Sequence, residues 1–196
     1  MLNQLNLGLI FLSAFLVNNI LLIKFIALCS FFGLSNSLTA SLGMGLAVVF
    51  VMVMSSSVSW AVYHYLLIPL HLEYLRTATF ILTIASLVQF EEIIIRKKSP
   101  ALYRALGIYL PLITTNCAIL AAAFLGIDYQ LNFVQNVVYA LGVSGGYCLA
   151  ILLFAGLRER VNSAPVAKSF QGVPIAFITA SLMSLAFLGF KGLFKL

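Results

Sequence analysis

Six long apolar segments, parted by short polar stretches, limit more than anything else what this 196-residue chain can fold into. They run about 5–23 (continuing past Lys24 through 25–34), 38–67, 74–95, 101–126, 133–157 and 173–190. A bilayer core takes about 20 residues of helix, so each segment is a candidate span. Composition closes off the alternative. The chain is 63% hydrophobic and 8% charged, with a mean hydropathy of +1.12. A soluble domain carries about 25% charged residues, and one this short could not hide so much apolar surface from water. The expected fold class is an all-α polytopic membrane protein with six transmembrane helices.

The net charge of +6 does not point to nucleic acid, because the cations sit in short clusters between apolar runs, as topogenic loops require. With six spans, Arg76, Lys191 and Lys195 share one side. Arg96, Lys97, Lys98, Arg104, Arg158, Arg160 and Lys168 lie on the other. Positive charge marks the cytoplasmic face, so the loops near 96–104 and 158–168 are expected to be cytoplasmic and both termini periplasmic. No basic stretch precedes the first apolar run, which is expected to stay as a span.

Two segments look broken. Asn18-Asn19 and Lys24 interrupt the first, and Pro111 with Thr114-Thr115-Asn116 interrupts the fourth. Proline removes a backbone donor, and opened backbone is tolerated in a membrane only where protein or a cavity surrounds it. Each break falls in the first segment of a set of three. An odd number of spans per half forces the second half to enter from the opposite side. Paired interruptions of this kind indicate an inverted repeat with a site near the midplane. Residues 1–98 are expected to form the first three-helix repeat and 99–196 the second, within one membrane domain.

Cys29 follows the first break and Cys117 the second. A two-fold axis in the membrane plane would bring these thiols to equivalent positions. Such a pair suits a soft metal or an iron–sulfur cluster; a cluster takes four cysteines, so two would come from a partner. The plain alternative is that a cysteine in apolar surroundings is a small hydrophobe, and Cys148 is read that way. Glu91-Glu92, ahead of the basic 96–98 cluster, read as a solvated pair, or as a cation-receiving site. Lys24 could pair with a partner's carboxylate, line a cavity or snorkel. Gly43, Gly45, Gly142, Gly145, Gly146 and Ser55-Ser56-Ser57 read as close-packing positions. Arg158-Glu159-Arg160 reads as a topogenic cap, and His64 and His71 have no ligand spacing.

Several stretches resemble the A-type subunits of Rnf electron-transport complexes. They include Leu16-Val17-Asn18-Asn19, Lys24-Phe25 to Cys29, Gly43-Met44-Gly45-Leu46-Ala47, Tyr74-Leu75-Arg76-Thr77 and Val88-Gln89-Phe90-x-Glu92. The run Leu106-Gly107-Ile108-Tyr109-Leu110-Pro111-Leu112-Ile113-Thr114-Thr115-Asn116-Cys117-Ala118 is the most specific, and Ile178-Thr179-Ala180 to Phe187 also fits. The D-type and E-type subunits of the sodium-pumping NADH:quinone reductase are similar too; Asn18-Asn19 and Lys24-Phe25 favour the Rnf likeness. The resemblance implies a bacterial inner-membrane subunit of a complex that couples electron transfer between ferredoxin and NAD to movement of sodium ions or protons. It implies a [2Fe–2S] cluster shared with a homologous E-type subunit, with Cys29 and Cys117 as this chain's ligands. It also implies a part in cation passage for Glu92, but not for Glu91. Lys24 and Asn116 join Glu92 as candidates for the ion path. No activity is expected of the chain alone. The competing expectation is a secondary transporter of a small solute without a redox centre.

Overall fold

The computed structural model describes residues 6–35, 38–71, 73–98, 116–163, 165 and 170–193. Seven helices carry the architecture of these residues: α1 Leu7–Leu12, α2 Leu28–Leu34, α3 Leu38–Val62, α4 Arg76–Lys98, α5 Cys117–Asp128, α6 Phe133–Asn162 and α7 Val173–Leu193. A π-helical turn, Ser13–Val17, extends α1, and another, Tyr63–Leu67, extends α3. There is no strand among the described residues. Leu38–Leu67, Phe133–Asn162 and Val173–Phe190 are long and apolar enough to cross a membrane, while Leu7–Val17 and Cys117–Asp128 are shorter apolar helices. Pro111, Thr114, Thr115, Arg104, Lys168 and most of the fourth apolar segment lie outside the described residues.

The hydropathy of α3 and α6 is high on every side, so helix contacts here are set by small residues and polar pairs, not by an apolar stripe. The two run antiparallel as the most extensive helix pair. A Cβ on Gly45 of α3 would meet Cys148 Sγ of α6 at 2.5 Å. Further along, Asn136 Nδ2 donates to Ser56 O and Oγ, both at 3.1 Å. Nearer the other end, Trp60 Nε1 donates to Leu131 O at 2.9 Å. The first segment lies along α6 in parallel, close enough that side chains on Gly142 or Gly146 would strike the carbonyls of Phe11 or Phe15. The packing role read for these glycines is therefore borne out at Gly45, Gly142, Gly145 and Gly146. Cys148 also packs as expected. Large apolar side chains such as Leu46, Phe50, Leu82, Leu182 and Leu185 point outward, as a lipid-facing surface requires.

Two polar contacts fix which ends lie together. Arg76 and Asp128 form an ion pair at 2.8 Å, which joins the start of α4 to the end of α5. Arg158 Nη1 donates to Phe32 O (2.9 Å) and Ser35 Oγ (2.8 Å), which joins the end of α6 to the end of α2. Arg158 thus caps the C-terminus of α2, where a cation is favoured. This is a role that a topogenic charge need not have.

Candidate functional site at the two helix breaks

The first break, residues 18–27, is held open by Asn19, which is fully buried. Its Oδ1 accepts from the backbone N–H of Leu21 (3.1 Å) and Leu22 (3.3 Å), and its Nδ2 donates to Gly146 O at 2.8 Å. Ser184 of α7 donates to Leu22 O at 2.6 Å. Phe25 (φ 53°) and Ala27 (φ 69°) take left-handed backbone, which costs a residue with a Cβ about 1–2 kcal/mol. Such strain persists only where the surroundings over-determine it. After this turn α2 begins at Leu28, with Cys29 in its first turn.

The residues expected to form the second break lie outside the described ones up to Asn116, the N-cap of α5. Its Oδ1 accepts from Ala118 N at 3.0 Å, and Cys117 is the first residue of the helix. Tyr147 joins the helix that follows the first break to the start of α5. Its hydroxyl donates to Ser30 Oγ, next in the chain to Cys29, at 2.9 Å, and the Asn116 side chain reaches the same hydroxyl. Asn116 is 3% exposed. Gly146 and Tyr147 sit at the middle of the 30-residue α6. The first break and the start of α5 therefore both lie beside the middle of α6, one helix start at each. Nothing in the sequence marks Tyr147, which shares its apolar run with Tyr139.

Cys29 and Cys117 are exposed, and Cys117 shares a shallow, almost wholly apolar groove of about 330 Å³ with Lys24, Ile26, Leu120, Ala121, Phe124 and Leu125. Lys24, read as able to line a cavity, is among the residues of this groove beside Cys117. Among the described residues no three His, Cys, Asp or Glu side chains gather as a metal site.

Glu91 departs from the reading as a solvated pair. It is 9% exposed, and neither carboxylate oxygen has a hydrogen-bond partner among the described residues. It falls on the inward line Phe80, Ile84, Val88, Glu91, with spacings of a single helix face. Glu92, one position on, is half-buried. At the far end of the bundle, His64 stacks on Trp60 with centroids 5.1 Å apart. Both line a pocket of about 470 Å³ beside Arg76 and Asp128.

A model of the Rnf-Nqr family, described as membrane subunits, matches residues 7–194. The chain belongs to the Rnf-Nqr family. It is therefore a membrane protein, as the apolar helices already required. Among similar Rnf-Nqr proteins is one from Aeromonas salmonicida, named as the A component of an ion-translocating oxidoreductase complex. It is 53% identical over 188 residues, covering 96% of this chain and 97% of the relative. Proteins of the same name from Aeromonas hydrophila (55% over 181 residues, 92% and 94%) and Syntrophotalea carbinolica (54% over 188 residues, 96% and 97%) are similar to it throughout. The resemblance drawn from the sequence is thus borne out across nearly the full chain.

Proposed function

We propose that this chain is the A-type membrane subunit of an ion-translocating electron-transfer complex, and that Cys29 and Cys117 supply half the ligands of a [2Fe–2S] cluster shared with a homologous subunit. The names of the relatives support the first part. The observation that supports the second is the meeting of two helix starts around Tyr147, each presenting an exposed cysteine beside the middle of α6. The donor set suits half a cluster: two outward-facing thiols, and no third ligand gathered with them among the described residues. In this reading residues 1–98 and 99–196 are inverted three-helix repeats, and the partner is their E-type homologue.

When bound, the cluster would supply a one-electron carrier in the low-dielectric core. The chain's own residues prepare its place. Asn19 and Ser184 satisfy backbone opened at the first break, so that water is not needed there. Asn116 fixes the start of α5, whose positive end favours negative charge nearby. Lys24 adds a cation to the groove that Cys117 lines, and Leu120, Phe124 and Leu125 give that groove apolar walls against water. Glu92, Lys24 and Asn116 contribute to the path of the translocated cation, sodium ion or proton. Ferredoxin and NAD would bind other subunits. The 96–104 and 158–168 loops face the cytoplasm and the termini the periplasm; the shared end of Ser35 and Arg158, opposite that of Arg76 and Asp128, supports this threading.

The test is low-temperature electron paramagnetic resonance of the dithionite-reduced complex, comparing wild type with Cys29→Ser and Cys117→Ser after assembly is verified. Loss of one [2Fe–2S] signal and of its iron in each variant is expected. Unchanged spectra and iron content would return both cysteines to packing and favour a solute carrier without a redox centre.

A further inference from the structure

Glu91 stands deeper in the chain than its place near the end of the third apolar segment suggests. On α4 and α5, Arg76 pairs with Asp128 and Phe80 packs on Phe124, with centroids 5.3 Å apart. These contacts set the two helices antiparallel. Carrying the register back to Cys117 brings it level with about Leu87, and Glu91 follows one turn further on. The carboxyl is therefore near the middle part of α4, about a turn from the level of Cys117, and points inward.

The described surroundings offer little to hold a charge. The elements packed most extensively on α4 among the described residues are α3 and α5. The α3 segment contains no Asp, Glu, Lys, Arg or His. The titratable groups of α5 are Cys117, at its start, and Asp128, which Arg76 holds at the far end. On α4 itself, Glu92 is adjacent and Arg96, Lys97 and Lys98 follow toward the helix end. An ionised carboxylate buried without a hydrogen bond is very costly, and such a group neutralises instead. A hard metal cation would need several oxygen ligands, whereas a proton needs only the carboxylate.

We propose that Glu91 is a proton-binding carboxyl on the ion path, holding its proton as the neutral acid in the core of the chain. An ionisable residue at this depth is a functional candidate by default. The assignment rests on the reading that the chain takes part in cation translocation.

A lipid-soluble carbodiimide, which modifies protonated carboxyls in apolar surroundings, tests it directly. The assembled wild-type complex is treated in membranes with and without sodium, and the adduct is mapped by peptide mass spectrometry. An adduct on Glu91, indifferent to sodium and absent from Glu91→Gln, is expected. No adduct, or one that sodium prevents, would overturn the assignment. In proteoliposomes, Glu91→Gln is expected to lower cations moved per electron transferred at least two-fold. A wild-type complex that moves no cation would overturn the translocation reading. A complex that moves one at an unchanged ratio in Glu91→Gln would overturn the role of Glu91 alone. Labelling is read on the wild type, so it decides the matter even if Glu91→Gln does not assemble.

Discussion

Replacing Gly146 by alanine should damage the first break from the outside. The new Cβ would stand 2.6 Å from Phe15 O and 3.1 Å from Asn19 Nδ2, where ordinary contact begins near 3.4 Å. Phe15 O is backbone, so it cannot swing aside like the tip of a side chain. The first segment must instead move away from α6 by most of an ångström. Overpacking of this kind costs about 1–3 kcal/mol. The shift also strains the Asn19 Nδ2 donation to Gly146 O, now at 2.8 Å, and hydrogen bonds between membrane helices are worth about 0.6 kcal/mol on average. Against this, alanine gains about 0.8–1.0 kcal/mol over glycine in helix propensity. The net expectation is a loss of about 1–3 kcal/mol, the sum being dominated by the collision. Gly156, ten residues along the same helix, has nothing within 4 Å of an added Cβ. Gly156→Ala is therefore expected to be neutral or stabilising by up to about 1 kcal/mol. Unfolding free energies of both variants, measured by denaturing-detergent titration of the purified chain in mild micelles, make the comparison. If Gly146→Ala lies within about 0.5 kcal/mol of Gly156→Ala, the close approach of α6 to the break is not what holds it.

Other substitutions separate the polar contacts by strength. Asn19→Ala orphans two backbone N–H groups in the core and should cost about 2–4 kcal/mol in the same titration. Arg158→Ala removes a charged donor from Phe32 O and Ser35 Oγ. It should cost about 1.5–3 kcal/mol, with Arg158→Lys recovering only part because lysine lacks the planar fork. Asp128→Asn breaks an ion pair whose side chains are 28% and 49% exposed. The change should stay below about 1 kcal/mol and shrink as salt is raised.

The spans were legible because hydropathy alone sets them: second, fifth and sixth segments begin where the sequence places them, at Leu38, Phe133 and Val173. The first break was legible because Asn18, Asn19 and Lys24 are costly in hydrocarbon unless something holds them. What occupies the inside of the bundle was harder to see. A helix that is apolar on every side has no phase, and adjacent residues such as Glu91 and Glu92 point about 100° apart. The clue was the spacing Phe80, Ile84, Val88, Glu91, which becomes an inward line only once α3 and α5 are packed on α4. Arg158 was a similar case. A cation after an apolar run reads as topogenic, and its use as a cap depends on a segment more than a hundred residues earlier returning to the same end. The Tyr147 contacts are long-range in the same way, so no local pattern could announce them.

The polar atoms of the interior divide into two groups, and the division argues for which residues are scaffold and which are site. In hydrocarbon an unsatisfied polar group costs several kcal/mol, so scaffold positions should be fully paired. Asn19, Ser184, Ser30 and Arg158 all meet this requirement, each closing a backbone or side-chain group at or beside the first broken segment. The unpaired atoms are elsewhere. The Ser55 and Ser59 hydroxyls lie on α3, where a hydroxyl can rotate at small cost, and Asn136 is already tied to Ser56 through its Nδ2. Both oxygens of Glu91 are not so easily excused: no rotation removes the cost of burying a carboxyl, and this one lies within about a turn of the level of Cys117. An unpaired carboxyl retained at this level is what a site that takes up a proton should contain. A scaffold built only to span the membrane would have an apolar side chain there.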